Sequence, residues 1–155
     1  GAKAEMSRLP DDRNLPDLRS ASPRSRMNIT VVAAVIERDE RFLVTRRPTG
    51  AHLAGLWEFP GGKIHPDESH HAALKRELRE ELDADIEVGE LAFATTHPYP
   101  DRNVALYFYR CTLLGSARPL LGQEMRWVAR PELPLLVFPP ADAQLIDRLA
   151  RSDVR

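Results

Sequence analysis

The sequence predicts an α+β protein in which helices cover both faces of a β-sheet, an α/β/α sandwich. Most of the chain consists of runs rich in β-branched and aromatic residues separated by polar turns, which is typical of strands. Only two stretches, one central and one near the C-terminus, repeat apolar residues at helical spacing. The 155 residues, 43% of them hydrophobic, are enough for one core. We therefore expect a single folded domain over residues 27–155.

Residues 1–26 differ in composition from the rest of the chain. They hold three prolines, many charged side chains and almost no periodic apolar residues. Such a segment cannot bury enough surface to offset the entropy of ordering, so we expect a disordered tail. Its first residues, GAKAEM, are typical of a cloning remnant, and Met27 is a candidate native start.

Charge and hydropathy exclude several classes of partner. The chain has 22 Lys and Arg against 23 Asp and Glu, so no global basic field attracts nucleic acid or an anionic membrane. No apolar run approaches the roughly 20 residues of a membrane span, and a signal peptide is not evident. The single cysteine, Cys111, lies in an apolar run and is expected in the core. We expect a cytoplasmic monomer or homodimer that holds any anionic ligand locally.

The N-terminal half of the domain begins with strand patterns. ITVVAAVIE and RFLVTRR predict two strands, and the polar ERDER between them predicts a hairpin turn. PTGAHLAGLW is a loop, and WEFPGG is a short strand that ends in a turn. A helix is then predicted from Glu68 to about Leu82, with apolar residues at Ala72, Leu74, Leu78 and Leu82.

The C-terminal half returns to strand patterns and ends in a helix. Three more strands are predicted at IEVGELAFATTH, VALYFYRCTLL and MRWVA. Alternation along the second of these allows only one side of Tyr107, Phe108 and Tyr109 to meet a base. Pro139 and Pro140 then open a final helix, whose inward face is Leu145, Ile146 and Leu149.

The central helix concentrates acidic residues on one side. Glu77 and Glu81 lie one turn apart and Glu80 lies three residues from Glu77, so their carboxylates can converge. Converging carboxylates repel one another. The helix face could nevertheless be an ordinary solvated one, because Arg76 with Glu80 and Arg79 with Asp83 have the i,i+4 spacing of opposite-charge pairs.

The turn before this helix favours a ligand site. In Gly61-Gly62-Lys63, the glycines allow close approach of the backbone and the lysine supplies a charge suited to phosphate. Clustered oxygen ligands beside such a loop suit Mg²⁺ or Mn²⁺, which share phosphate substrates with the protein. We therefore expect a divalent cation to balance the glutamates.

This stretch resembles the Nudix box, G-x5-E-x7-R-E-U-x-E-E-x-G-U, in which U is a bulky apolar residue. The match is Gly62, Glu68 and then the run from Arg76 to Glu81, RELREE. Asp83 stands where the pattern has glycine, and Ala84 at the last apolar place. Because aspartate also tolerates the left-handed conformation that ends a helix, this departure concerns the cap and not the chemistry.

Beyond the box, the chain is similar to MutT-type nucleoside triphosphate pyrophosphohydrolases. TRRPTGAHLAGLWEFPGGK, the YPDR turn and FPPAD carry this resemblance, which spans about residues 28–149. It implies the Nudix fold, with a mixed β-sheet, and hydrolysis of a nucleoside triphosphate to the monophosphate and pyrophosphate with Mg²⁺ or Mn²⁺.

The resemblance also implies roles for individual residues. Metal ligands would be the carbonyl of Gly61 and the side chains of Glu77, Glu80 and Glu81, with Arg76 pairing Glu68 to fix the helix against its loop. Glu77 is the first candidate for the general base. Glu124 aligns loosely with a loop glutamate that serves as ligand or base in some members, or it is an exposed loop carboxylate.

The resemblance also implies substrate contacts, and some of these residues have a structural alternative. The residues implied are Arg47, His52, Glu58, Phe59, Pro60, Gly62, Lys63, Arg102 and Asp142. Arg47 could form only a surface salt bridge, His52 could be purely structural and Phe59 could be core. His70 and His71, early in the helix, match no required position and are expected to be exposed.

Asp142, within FPPAD, is the residue from which base preference can be argued. MutT-type 8-oxo-dGTP enzymes carry asparagine there, which both donates and accepts, whereas an ionised aspartate only accepts. This favours bases with an amino donor, as in (d)CTP or 2-oxo-dATP, beside 8-oxo-dGTP. A buried, protonated carboxyl would donate and restore guanine recognition. Alternatively, Asp142 only caps the last helix.

Two other functions are compatible with the box. One is Nudix hydrolysis of another diphosphate, such as ADP-ribose, NADH or a dinucleoside polyphosphate. The other is a non-catalytic module that recognises damaged bases, as in the domain attached to adenine DNA glycosylases. Such modules typically lose box carboxylates, whereas all are present here, so the sequence favours an enzyme.

Overall fold

The computed structural model describes residues 27–48, 50 and 55–151. The predicted disordered tail, residues 1–26, and the predicted substrate residue His52 lie outside the described residues. The elements expected from the sequence are otherwise present, with somewhat different bounds.

The described residues form seven strands and two helices. The strands are β1 (Met27–Arg38), β2 (Arg41–Arg46), β3 (Trp57–Glu58), β4 (Gly61–Lys63), β5 (Asp85–Pro98), β6 (Arg102–Leu114) and β7 (Glu124–Ala129). The helices are α1 (His70–Leu82) and α2 (Ala143–Arg151), with short 3₁₀-helices at Arg130–Leu135 and Pro140–Asp142. The WEFPGG stretch therefore contributes to two short strands and not one.

Strand β1 organises the mixed sheet. It pairs in parallel with β6 from Met27 to Ile36, and antiparallel with β4 and with the start of β2. The strand order is β3-β2-β1-β6-β5, with β7 beside β2 and β4 beside β1. The residues of β1 from Val31 to Ile36 are apolar and buried, because apolar clusters cover both faces of the sheet at this strand.

Two apolar clusters lie on opposite faces of the sheet. Val32, Ala34 and Ile36 pack with the buried side of α1, whereas Ala33 and Val35 face the cluster beneath α2. This alternation confirms the predicted α/β/α sandwich. Cys111 belongs to the α1 cluster, where burial raises its pKa to about 12, as expected of a core cysteine.

Local geometry explains where α1 begins and ends. The helix starts two residues later than predicted, because Ser69 is its N-cap and accepts a hydrogen bond from the Ala72 amide at 3.0 Å. It ends at Asp83, whose φ of 49° is left-handed, as expected where the box pattern has glycine. The expected pairing of Arg79 with Asp83 is wrong, since Arg79 bonds Asp85 at 2.9 Å.

No helix in the described part of the chain is both long and apolar enough to cross a membrane. The two helices instead lie on the sheet, with their apolar sides buried.

Candidate active site

Arg76 ties the start of α1 to the preceding loop. Its guanidinium donates to both carboxylate oxygens of Glu68, at 2.8 and 2.9 Å, and to the carbonyl of Lys63 at 3.0 Å. It also donates to Glu77 at 2.8 Å and to Glu80 at 3.0 Å. The predicted pairing of Arg76 with Glu68 is therefore confirmed, and it lowers the pKa of Glu68 to about 2.

Glu77 and Glu81 form a buried acidic pair on the inner side of α1. Their exposures are 0% and 7%, and Glu77 Oε1 and Glu81 Oε2 accept no hydrogen bond from any described residue. Burial raises the pKa of both groups, and the charges of Glu77 and Glu58 raise that of Glu81 further. Two adjacent buried carboxyl groups need a proton or a cation to balance them.

The two glycines before α1 leave room for this pair. A Cβ at Gly62 would lie 2.5 Å from the carboxyl carbon of Glu77, and one at Gly61 would lie 2.0 Å from the Val32 carbonyl oxygen. The amide of Gly61 also donates to Glu81. The glycines are thus required for close packing of β4 against both α1 and β1.

Glu80 and Glu124 lie outside the buried pair. Glu80 is one-third exposed and bonded to Arg76, although its charge still raises the pKa of Glu77. Glu124 opens β7, where its carboxylate accepts a hydrogen bond from Arg46 at 2.5 Å. Its register with Arg46 and Trp57 places it on the opposite sheet face from Glu58.

A cavity of about 80 Å³ lies beside the acidic pair, on the other side of Gly61. It is lined by parts of β1, β3 and β6 and by the segment before α2, including Glu58, Phe59, Tyr99 and Asp142. Phe59 stacks on Phe138, with ring centroids 5.4 Å apart. The cavity therefore has aromatic walls and polar groups at one end, a combination suited to a flat base.

Asp142 lines this cavity, where its side chain is buried and its pKa is raised. It is 6% exposed, and burial together with the charge of Glu58 raises its pKa to about 7. Tyr99 faces the same cavity, and burial and the charge of Asp142 raise the pKa of its hydroxyl. Tyr99 belongs to the YPDR turn but is not among the residues predicted to contact substrate.

The remaining predicted contacts surround this region. Arg47 donates to Glu58 at 3.3 Å, and its charge and hydrogen bond lower the Glu58 pKa, which burial raises more strongly. The carbonyl of buried Pro60 accepts from Ala34 at 2.8 Å. Arg102 bonds its neighbour Asp101 at 2.8 Å.

Lys63 lies on the cavity side of β4. It pairs with Val31, which lines the cavity, whereas its neighbour Gly62 faces α1.

The expectation that both histidines of α1 are exposed is wrong for His70. Its Nδ1 lies 2.7 Å from the hydroxyl of Tyr109, and its ring packs on Tyr107 with centroids 4.6 Å apart. His71 is exposed. Its ring nevertheless meets the edge of Tyr109, with centroids 5.5 Å apart, so both histidines contact β6 and only His70 lies within hydrogen-bond distance of the Tyr109 hydroxyl.

Comparisons with known proteins agree with this geometry. A family model described as the NUDIX domain matches residues 31–148. The CTP pyrophosphohydrolase of Escherichia coli is 39% identical over 120 residues, 77% of this chain and 89% of that protein. The 8-oxo-dGTP diphosphatase of Haemophilus influenzae is 39% identical over 124 residues, 78% of this chain and 91% of that protein.

A solved structure shows the same fold. The solution structure of the E. coli ORF135 protein has a TM-score of 0.74 and 37% identity, and it covers 85% of this chain and 99% of that one. With the family model and the relatives, this likeness establishes that the chain belongs to the Nudix hydrolases, as a MutT-type member.

Proposed function

We propose that this chain hydrolyses a nucleoside triphosphate, normal or oxidised, to the monophosphate and pyrophosphate with the help of a divalent cation. One observation carries the proposal: the buried pair of Glu77 and Glu81, with unpartnered oxygens, lies beside an aromatic cavity that ends in Asp142. The names of the relatives, a CTP pyrophosphohydrolase and 8-oxo-dGTP diphosphatases, support the same reaction.

The donor set fits a hard divalent cation. Within residues 27–48, 50 and 55–151, no three acidic, histidine or cysteine side chains already form a metal-binding group. The pair of Glu77 and Glu81 nevertheless carries more negative charge than its neighbours balance, and carboxylates are ligands that Mg²⁺ and Mn²⁺ prefer. In the proposal these two side chains, Glu80 and the Gly61 carbonyl hold the cation. When bound, it polarises phosphoryl oxygens and makes water more acidic.

The chain's own residues orient the reaction. Arg76 and Glu68 hold α1 against the loop, so the carboxylates stay at fixed positions. Glu77 takes the proton of the attacking water, in keeping with its buried position and raised pKa. Glu124 is the alternative as base or further ligand, and it would first have to leave Arg46.

The substrate would lie across the cavity and the Gly-Gly turn. In the proposal the base packs on Phe59, with Pro60 and Glu58 beside it. Lys63, Arg47 and Arg102 supply positive charge for the phosphates, while the backbone of Gly62 permits close approach. His52 stays a predicted substrate residue outside the described part of the chain.

Asp142 would decide which bases are accepted. As a carboxylate it accepts hydrogen bonds only and favours the amino group of cytosine or adenine. With a pKa of about 7, it is also protonated in part of the population near neutrality and can then donate to the O6 of 8-oxoguanine. Both (d)CTP-type substrates and 8-oxo-dGTP are therefore candidates, in keeping with nucleotide-pool sanitation in the cytoplasm.

A substrate screen with product analysis tests the proposal. Canonical and oxidised nucleotides, ADP-ribose and NADH are each incubated with Mg²⁺, Mn²⁺ or EDTA, and pyrophosphate and monophosphates are quantified. We expect pyrophosphate from triphosphates only with a cation, and its loss in Glu81→Gln but not in the control Glu90→Gln, an exposed glutamate of β5. Cation-independent turnover, or release of products other than pyrophosphate, would refute it.

A further inference from the structure

A second concave region lies on the α2 side of the sheet, separate from the catalytic cavity. It is a groove of about 400 Å³ between β5, β6 and α2, lined by Ala92, Arg110, Leu145, Arg148, Leu149 and Arg151. It shares no lining residue with the catalytic cavity. Arg110 follows Phe108 on the same face of β6, so the wall between the two regions includes the buried Phe108 ring.

Among the described residues, the groove is lined by three arginines and by no acidic side chain. Arg151 is neutralised by Asp147 at 2.7 Å. In the described ranges, 27–48, 50 and 55–151, neither Arg110 nor Arg148 has a carboxylate oxygen within 4.0 Å. Two positive charges in the groove are therefore not balanced by a described partner.

Of the arginines in the described part of the chain, Arg38, Arg41, Arg110 and Arg148 have no carboxylate partner, and only the last two line the groove. Those with a carboxylate partner are Arg46, Arg47, Arg76, Arg79, Arg102, Arg118, Arg126, Arg130 and Arg151. The two unpaired arginines of the groove lie on different elements, one on β6 and one on α2, so they can contact one ligand from two sides.

Arg148 and Arg151 lie in the last turn of α2, where a positive charge is favourable, whereas Arg110 lies on β6. A cation near the end of a helix is often stabilised by the free carbonyls there. Here Arg130 donates to the Leu149 carbonyl at 2.6 Å. The guanidinium of Arg148 instead lies over the Phe93 ring, 4.9 Å from its centroid, which limits its freedom before any ligand binds.

We propose that this groove is an anion site for a compact oxyanion with two or more negative charges, of the pyrophosphate class. Guanidinium groups bind phosphate oxygens in pairs, and the exposed side chains of Arg110 and Arg148 are accessible to such a ligand. The site requires no divalent cation. It is independent of the proposed catalytic function, because neither arginine contacts the catalytic cavity.

Isothermal titration of the full chain with sodium pyrophosphate in EDTA tests the site. Without a cation, the acidic catalytic pair repels the anion, whereas the groove still binds it. We expect one saturable site that Arg110→Ala and Arg148→Ala each weaken about tenfold or more, the usual effect of losing a charged hydrogen bond. Arg41→Ala is the matched control, since Arg41 is exposed and has no carboxylate partner in the described part of the chain.

Several results would overturn the proposal. They are the absence of saturable binding, equal affinity in Arg110→Ala and wild type, and binding that appears only after deletion of residues 152–155, whose carboxylates would then be the occupants. Binding of an oligothymidylate that pyrophosphate does not displace would assign the groove to nucleic acid instead. Nucleotide turnover, measured in parallel, should be unchanged in both arginine variants, so failure of this site leaves the proposed hydrolase function untouched.

Discussion

Replacing Asp142 by asparagine should change how base selection depends on pH. In the wild-type protein, burial and the charge of Glu58 raise the pKa of Asp142 to about 7. Below that pH the carboxyl group mainly donates a hydrogen bond, and above it the carboxylate only accepts. An asparagine amide presents a donor and an acceptor at every pH. The variant therefore removes the switch while nearly preserving the shape of the side chain.

The size of the effect follows from the titration. Around a pKa of about 7, the ratio of carboxylate to acid changes tenfold per pH unit, and thus about a hundredfold between pH 6 and pH 8. A mismatched, unpaired polar group costs about 1–3 kcal/mol, which limits discrimination to about five- to hundredfold. We expect the quotient of kcat/KM for dCTP over that for 8-oxo-dGTP to rise by at least tenfold across this range.

The assay measures both substrates at pH 6, 7 and 8 in the same buffers and at saturating Mg²⁺. Groups that serve both substrates, including the acidic pair, change the two kcat/KM values by the same factor as they titrate. Their effect is therefore absent from the quotient of the two values. In Asp142→Asn the quotient should be independent of pH and, at pH 8, shifted about tenfold or more towards 8-oxo-dGTP. Asp147→Asn, an exposed aspartate on α2, should retain the wild-type profile.

Two outcomes would refute this reasoning. A quotient that does not change with pH in the wild-type protein would show that Asp142 does not titrate against the base. An equal loss for both substrates in Asp142→Asn would leave this residue only a structural role beside α2.

The same pKa gives a stability readout that does not need substrate. Because the folded-state pKa of Asp142 is raised from 3.8 to about 7, the acid form stabilises the fold below pH 4, and this contribution is lost as the pH rises to 7. The shift corresponds to on the order of 4 kcal/mol. The melting temperature of Asp142→Asn, relative to wild type, should therefore increase between pH 4 and pH 8. If the difference in melting temperature between the variant and wild type were the same at every pH, the raised pKa of Asp142 would be contradicted.

Three other predictions test the cation, the buried ion pair and the tail. In Glu81→Gln the fold should persist, but Mg²⁺ should no longer raise the melting temperature as it does in wild type; an undiminished rise would exclude this residue as a ligand. Arg130→Met should lower the free energy of unfolding in urea by about 2–4 kcal/mol. The reason is that Glu37 and the Leu149 carbonyl lose the hydrogen bonds that Arg130 donates. The exposed control Arg126→Met should cost under about 1 kcal/mol. Deleting residues 1–26 should change neither melting temperature nor turnover, and a large drop in either would show that the tail docks.

The helix and its acidic residues could be predicted because they depend on local periodicity. Glu77 and Glu81 are four residues apart, so any helix over this stretch brings them onto one face. The pairing of Arg76 with Glu68 came from the resemblance and is present in the structure. Glu80 differs, since it lies one-third exposed beside Arg76, and only the packing of α1 decides which carboxylates turn inward.

Long-range features could not be read from the sequence. The parallel pairing of β1 with β6 joins residues more than 70 positions apart, and no local pattern encodes a partner at such a distance. The same holds for Tyr99, which reaches Asp142 only through the fold. Likewise Asp83 pairs with Arg118 from a distant loop and not with Arg79 on its own helix.

The charges on α1 do not by themselves hold Glu77 and Glu81 in place, so close packing must also contribute. Arg76 contributes one positive charge to Glu68, Glu77 and Glu80, and its best-formed contact, to both oxygens of Glu68, is furthest from the buried pair. Burial and the neighbouring Glu77 raise the pKa of Glu81, and the hydrogen bond from the Gly61 amide lowers it only in part. Such a pair would be destabilising in a purely structural helix. The glycine turn packed closely against the pair fixes the carboxylates in the folded chain, which is the preorganisation that the proposed cation site requires.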